Sequence, residues 1–382
     1  MNHVSTLSVL LMTASLTPAL AQDSHQQFEN DAAAVFESAV KGYDIPGLVI
    51  GVTHEGKHSF YQTGLASRED EDQEPVTPDT LFELGSISKI FNVTLAALAE
   101  ARGKVSLDAA VGEHLPALQG SPAGELTLLD LATHHSGGLP LQVPEEAQDV
   151  DQLVDWLRDW QPAEPEARSY SNISIGLLGH ITANAMGMSY ADALQTDLFP
   201  ALGLTNTWID VPTDAASSYA FGYDRKTNAP IRVTPGVFDD EAYGVKSSAR
   251  DMLKLLDVEL ANGDASPEIR KAVARTQEGR FRTRLFTQAM IWEAYPWPVD
   301  PERLVEGNGA DFILKPQAMD EVNVTFDQDV ILNKTGSTNG FGGYIAMVPG
   351  EDLGVVVLAN RNYPNEARVR ATHNLITRVL AE

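Results

Sequence analysis

The sequence predicts an α+β fold: an antiparallel sheet flanked by helices, with an inserted all-helical lobe. Three observations carry this prediction. Strand-like runs occur near both ends of the chain, helical runs flank them, and the middle is helical. Strands at the two ends then share one sheet, and the segment of roughly 86–190 packs beside it as the helical lobe.

From Gln27 to Tyr43, Phe28, Ala32, Val35, Phe36, Ala39 and Val40 recur at helical spacing. Pro46-Gly47 interrupts, and Leu48–His54 and His58–Gly64 form a hairpin around Glu55-Gly56-Lys57. Helical stretches follow at Ile87–Ala101, Leu128–Thr133, Val150–Trp160 and Ile173–Met186. Gly343–Val348 and Leu353–Ala359 read as strands around Pro349-Gly350-Glu351-Asp352, and Glu366–Leu380 as a closing helix. A cleft between two such lobes is a common ligand site.

The charge balance excludes several functions. Of 382 residues, 53 are acidic and 27 basic, for a net charge of -26, and the basic set is 10 Lys against 17 Arg. Such a chain repels phosphate backbones and anionic lipid surfaces, so neither nucleic acid nor membrane is an expected partner. With 43% hydrophobic residues it has the material for a core. Cysteine is absent, which excludes disulfides, a thiol nucleophile and iron–sulfur clusters. At the N-terminus, Leu7–Leu20 is uncharged and mostly apolar or small, and Ala19-Leu20-Ala21 fits a signal-peptidase site. Residues 1–21 therefore read as a signal peptide, and 22–382 as the exported mature chain. The apolar stretch is shorter than the ~20 residues needed to span a bilayer.

Three short motifs carry chemistry. In Ser86-Ile87-Ser88-Lys89 the residues at i and i+3 share a helical face, so the Lys89 amine reaches the Ser86 hydroxyl, as an activated nucleophile requires. Ser38-Ala39-Val40-Lys41 has the same spacing but lies inside a helix and reads as surface. In Tyr170-Ser171-Asn172, residues two apart in extended chain point to one side, offering a proton relay and an amide to one cleft. Tyr363-Pro364-Asn365 repeats that pattern. Lys334-Thr335-Gly336, at a strand edge before a Gly-rich run, suits an anionic ligand lying along the backbone. Each motif alone also fits ordinary packing or turn roles.

Taken together and in order, the three motifs resemble the set of the serine penicillin-recognising enzymes. Phe82-Glu83-Leu84-Gly85-Ser86, Leu139-Pro140-Leu141-Gln142-Val143-Pro144, Ala242-Tyr243-Gly244-Val245-Lys246-Ser247 and Asn362-Tyr363-Pro364-Asn365 resemble the class C (AmpC-type) beta-lactamases, from about Phe28 to Leu380. The resemblance implies a beta-lactamase/transpeptidase-like fold and a monomer that needs no cofactor and hydrolyses small-molecule beta-lactams, cephalosporins foremost. It makes Ser86 the acyl-ester nucleophile and Lys89, Tyr170 and Lys334 the catalytic partners. The backbone N–H groups of Ser86 and Ser337 become the oxyanion hole. Gln142 and Asn172 would hold the substrate's amide side chain, and Tyr243 would line that pocket. Lys334, Thr335, Gly336 and Asn365 would face its carboxylate.

Proton removal from Ser86 is the physical difficulty. A phenol with a pKa of about 10 is ionised only about once in a thousand near pH 7. Two lysines beside Tyr170 would favour its phenolate, while each would also favour a neutral form of the other, leaving either Tyr170 or Lys89 as base. Glu164 and Glu166 lack the context of the class A deacylating glutamate and read as loop carboxylates. His134-His135 and Trp156…Trp160 read as structural. The rivals are a DD-peptidase or esterase on the same scaffold, and a penicillin-binding sensor that acylates without turnover. Since no proposed catalytic residue is acidic, the acidic surplus reads as surface adaptation to high salt.

Overall fold

The computed structural model describes residues 17–69 and 73–381, so most of the expected signal peptide, residues 1–16, lies outside the described residues. Helix α1, Thr17–Gly42, leads into the expected hairpin, β1 (Gly47–His54) and β2 (Lys57–Gly64). The chain then leaves the sheet for a largely helical segment. Its main helices are α2 (Lys89–Ala101), α3 (Leu128–Thr133), α4 (Val150–Asp159), α5 (Asn172–Met186), α6 (Asp239–Tyr243), α7 (Ala249–Glu259) and α8 (Pro267–Thr276). It returns as β3 (Gly279–Arg282), β4 (Thr287–Gln288), β5 (Glu293–Pro296), β6 (Asp320–Val324), β7 (Val330–Ser337), β8 (Gly342–Val348) and β9 (Leu353–Ala359), and closes with α9, Asn365–Val379.

These strands form one antiparallel sheet in the order β6-β3-β4-β5-β7-β8-β9-β1-β2. The two ends of the chain meet where β1 pairs with β9, Leu48 opposite Ala359 and His54 opposite Leu353. Both faces are covered, which is why the central strands read as continuous apolar runs. Leu48, Ile50, Val355 and Val357 point into the cluster shared with Phe36 of α1 and Leu375 of α9. Val49, Val356 and Leu358, one residue out of phase, point into the larger cluster shared with α2, α5 and α7. The hydrophobic register thereby fixes which face of β7 meets the helical segment.

Local chemistry sets the element ends that matter for the site. Thr127 and Asp130 form a reciprocal capping box at α3, and Ser171 caps α5 by accepting from Ser174 N–H at 3.2 Å. One 3₁₀ turn, Gly85–Ser88, precedes α2, so Ser86 sits on a tight turn rather than within the helix. The smaller pairs beside it tie Phe82–Glu83 to Lys246–Ser247, and these to Thr207–Trp208.

Candidate active site

Gly85 and Gly336 bring the Ser86 turn against strand β7. Gly85 has φ +54°, and a β-carbon on it would lie 2.4 Å from Ser337 N; one on Gly336 would lie 2.0 Å from Leu84 O. Only glycine permits this approach of two backbones. On its far side, β7 pairs with β5 only as far as Asn333 opposite Glu293. Lys334–Ser337 therefore pair with β8 alone and present a free strand edge, as the sequence led us to expect.

That edge lines a cleft of about 550 Å³. Ser86, Gln142, Tyr170, Asn172, Tyr243, Lys334, Thr335, Gly336, Ser337 and Asn365, drawn from six separate stretches of sequence, all line it. Lys89 lies fully buried behind them, donating from Nζ to Ser86 Oγ at 3.0 Å and to Ala242 O at 2.7 Å. The Lys89 and Lys334 ammonium groups stand 5.3 and 5.1 Å from the Tyr170 ring centre. Lys334 also donates to Thr335 O at 3.0 Å. Asn172 donates to Gln142 Oε1 at 3.1 Å, and Asn365 to Asn308 O at 2.9 Å.

The electrostatics follow from this packing. Burial pushes the Tyr170 phenol up, but Lys334 and Lys89, with the Ser86 hydroxyl, more than offset it and bring its pKa down to about 8. Burial lowers Lys89 to about 8, with Tyr170 acting in the opposite direction. At pH 7, a phenol of pKa 8 is ionised about one time in ten, and the roughly 4 kcal/mol deficit of an ordinary phenol falls to about 1.4 kcal/mol.

Ser38 and Lys41 are exposed, with Lys41 paired to Glu37 on the same helix. Glu164 and Glu166 are exposed loop residues. Tyr363 is buried in the second core and only Asn365 of its trio reaches the cleft. Trp160 is buried in the larger core, with Trp156 packed against it. His134 is buried, its ring 4.3 Å from that of Tyr170, and Ser171 N–H donates to its Nδ1. Burial, then the cations Arg168, Lys89 and Lys334, hold its pKa well below the usual value, so it is a neutral packing partner of the phenol. His135 pairs instead with Asp130 at 2.8 Å. Among the described residues, no group of three or more acidic or histidine side chains could hold a metal.

Sequence reasoning missed a supporting layer. Arg168, fully buried, pairs with Glu293 at 3.1 Å and lies 5.5 Å from the Tyr170 ring centre. Arg368, also fully buried, donates to Gly336 O, Ser337 Oγ and Gly343 O, and to Asn362 and Tyr363, joining the free strand edge to the loop before α9. Glu83 accepts from Tyr219 Oη and Val233 N, each at 2.7 Å, and anchors the loop on the cleft's rim. Only Glu83 left a local signal, its position in the string before Ser86; the two arginines reach the site through distant partners, Glu293 for Arg168 and Gly336 and Ser337 for Arg368.

A hydroxyl on a tight turn, its buried ammonium partner and a phenol between two lysines together make up a serine acyl-transfer site. Comparison with known proteins agrees. The family model described as Beta-lactamase matches residues 32–378. A beta-lactamase of Pseudomonas fluorescens is 40% identical over 345 residues, 89% of this chain and 96% of that one. Among solved structures, the class C beta-lactamase from Rhodobacter sphaeroides is 79% identical, with a TM-score of 0.90 over 92% of this chain and 99% of that one. A class C beta-lactamase in complex with cefoxitin is 36% identical, with a TM-score of 0.89 over 93% of this chain and 99% of that one. The chain belongs to the beta-lactamase family, and its fold and similarity are those of the class C enzymes.

Proposed function

We propose that this chain hydrolyses the beta-lactam amide of antibiotics, cephalosporins foremost, through an acyl-ester on Ser86, and so confers resistance. The observation that carries the reading is the 3.0 Å contact of Lys89 with Ser86 on the floor of a cleft where Tyr170 lies between two lysines. Ser86 Oγ attacks the lactam carbonyl carbon and gives its proton to the Tyr170 phenolate, or to Lys89 when that amine is neutral. The negative oxygen of the tetrahedral intermediate receives the Ser86 and Ser337 N–H groups, the arrangement in which a preorganised donor contributes most. The C–N bond then breaks and the ring nitrogen takes the proton. Water, deprotonated by the same phenolate, attacks the ester carbonyl and releases Ser86 and the opened product.

In this reading Lys334, Thr335, Gly336 and Asn365 face the substrate carboxylate, Gln142 and Asn172 its amide side chain, and Tyr243 the pocket beyond. The cefoxitin bound by the class C relative supports a small-molecule beta-lactam as substrate. Export to the periplasm after loss of residues 1–21, leaving residues 22–382 as one monomeric catalytic domain with a helical lobe near 86–190, belongs to the same proposal. Among the described residues, no helix is long and apolar enough to cross a membrane.

The test is steady-state hydrolysis of a chromogenic cephalosporin followed alongside mass spectrometry of the acyl-enzyme. Rapid turnover with a transient adduct is expected. A persistent adduct without turnover would favour the DD-peptidase or sensor reading.

A further inference from the structure

We propose that this enzyme selects beta-lactams whose acyl side chain carries a protonated amine, because the substrate site is electrically bipolar along its length. The inference rests on the hydrolase reading and names its substrate class.

The main cleft is basic. Its charged lining is Arg225, Arg232 and Lys334 against a single acid, Glu83, whose carboxylate is already engaged by Tyr219 and Val233. A groove of about 720 Å³ continues from it, sharing Gln142, Asn172 and Tyr243. There the charge reverses: the groove is lined by Glu145, Asp149 and Glu241, with no lysine or arginine among its lining residues. Glu241 lies on α6 beside Asp239 and Asp240, and no cation pairs with its carboxylate among the described residues. Burial, partly offset by its own backbone N–H, and then Asp240 and Asp239 raise Glu241 to about 7, so a cation arriving in the groove would favour its charged form.

Asn172 stands where cleft and groove meet. It is 6% exposed, its Nδ2 is committed to Gln142, and its Oδ1 is buried without a hydrogen-bond partner. A rotation of this amide would offer its unmet acceptor to an N–H donor of the substrate. A ligand held there, with its ring carboxylate toward Lys334, extends its acyl side chain into the acidic groove. A cationic amine on that side chain is attracted, and a carboxylate repelled, by the same three acids.

Benzylpenicillin, ampicillin and carbenicillin form a matched set, bearing hydrogen, ammonium and carboxylate at one carbon of the acyl group. The expected order of kcat/KM is ampicillin, then benzylpenicillin, then carbenicillin, the first at least about tenfold above the last. The ratio should fall several-fold in Glu241→Gln and in Glu145→Gln; Glu145 is exposed, so its variant keeps the test alive if the first does not fold. The overall charge of -26 would disfavour carbenicillin in any case, but removing one of 53 acids hardly alters that field. A ratio near one, or a ratio unchanged in both variants, overturns the proposal. Failure to hydrolyse benzylpenicillin at all would instead strike the hydrolase reading.

Discussion

Lys89 Nζ lies 3.0 Å from Ser86 Oγ and makes its second hydrogen bond, 2.7 Å, to Ala242 O. Both contacts point the amine's protons away from itself, so in this geometry Lys89 holds the hydroxyl and supplies positive charge. On the proposed mechanism Tyr170, with its pKa brought down to about 8 chiefly by Lys334 and Lys89 against the cost of burial, takes the Ser86 proton.

The phenolate account predicts a pH dependence of definite sign. The reactive form pairs the Tyr170 phenolate with a protonated Lys89, so kcat/KM should rise from pH 6 to a maximum near 8, where both groups of the coupled pair titrate, and fall above it. Tyr170→Phe should lower kcat/KM by about 10³-fold and abolish that rise. Its ring packing on His134 survives, so circular dichroism should be unchanged. A flat wild-type profile, or near-normal kinetics in the variant, would eliminate the tyrosine route.

Gly85→Ala tests the close approach that builds the proposed oxyanion site. The new methyl would meet Ser337 N at 2.4 Å from a backbone at φ +54°, pushing β7 away from the Ser86 turn. Turnover should fall by about 10²-fold or more, the usual cost of a lost oxyanion donor. Wild-type kcat in a folded Gly85→Ala variant would contradict the account.

The Arg168–Glu293 pair beneath Tyr170 is fully buried. Glu293→Ala leaves an uncompensated guanidinium and should destabilise the fold by about 3–5 kcal/mol, read as a lower midpoint in urea unfolding. A midpoint unchanged from wild type would show that the pair is dispensable for stability.

Much of this was legible in the sequence, for a physical reason. β1, β8, β9 and α9 are long, apolar and bounded by turn residues, so their ends fell within a residue or two of expectation. Strands β3, β4 and β5 have two to four residues each, too short for any period to register. Ser86, Tyr170 and Lys334 stood out because their neighbours are as constrained as they are: Gly85 by the approach to Ser337, Ser171 by capping α5, Gly336 by Leu84. Arg168 and Arg368 escaped because their work is done through partners such as Glu293 and Gly336, which only the folded chain brings near.

The acidic surplus lies outside the catalytic set and makes its own prediction. If it is adaptation to high salt, screening of self-repulsion should maintain or raise activity and refolding yield in molar NaCl. Aggregation or lost activity on adding salt would argue against that origin.

The most direct test is Ser86→Ala, assayed with a chromogenic cephalosporin while intact-protein mass spectrometry follows the adduct. The account predicts a folded protein with neither turnover nor added mass, beside a wild type whose transient adduct maps to the peptide containing Ser86. Retained hydrolysis in the variant, or an adduct on any other residue, would contradict it.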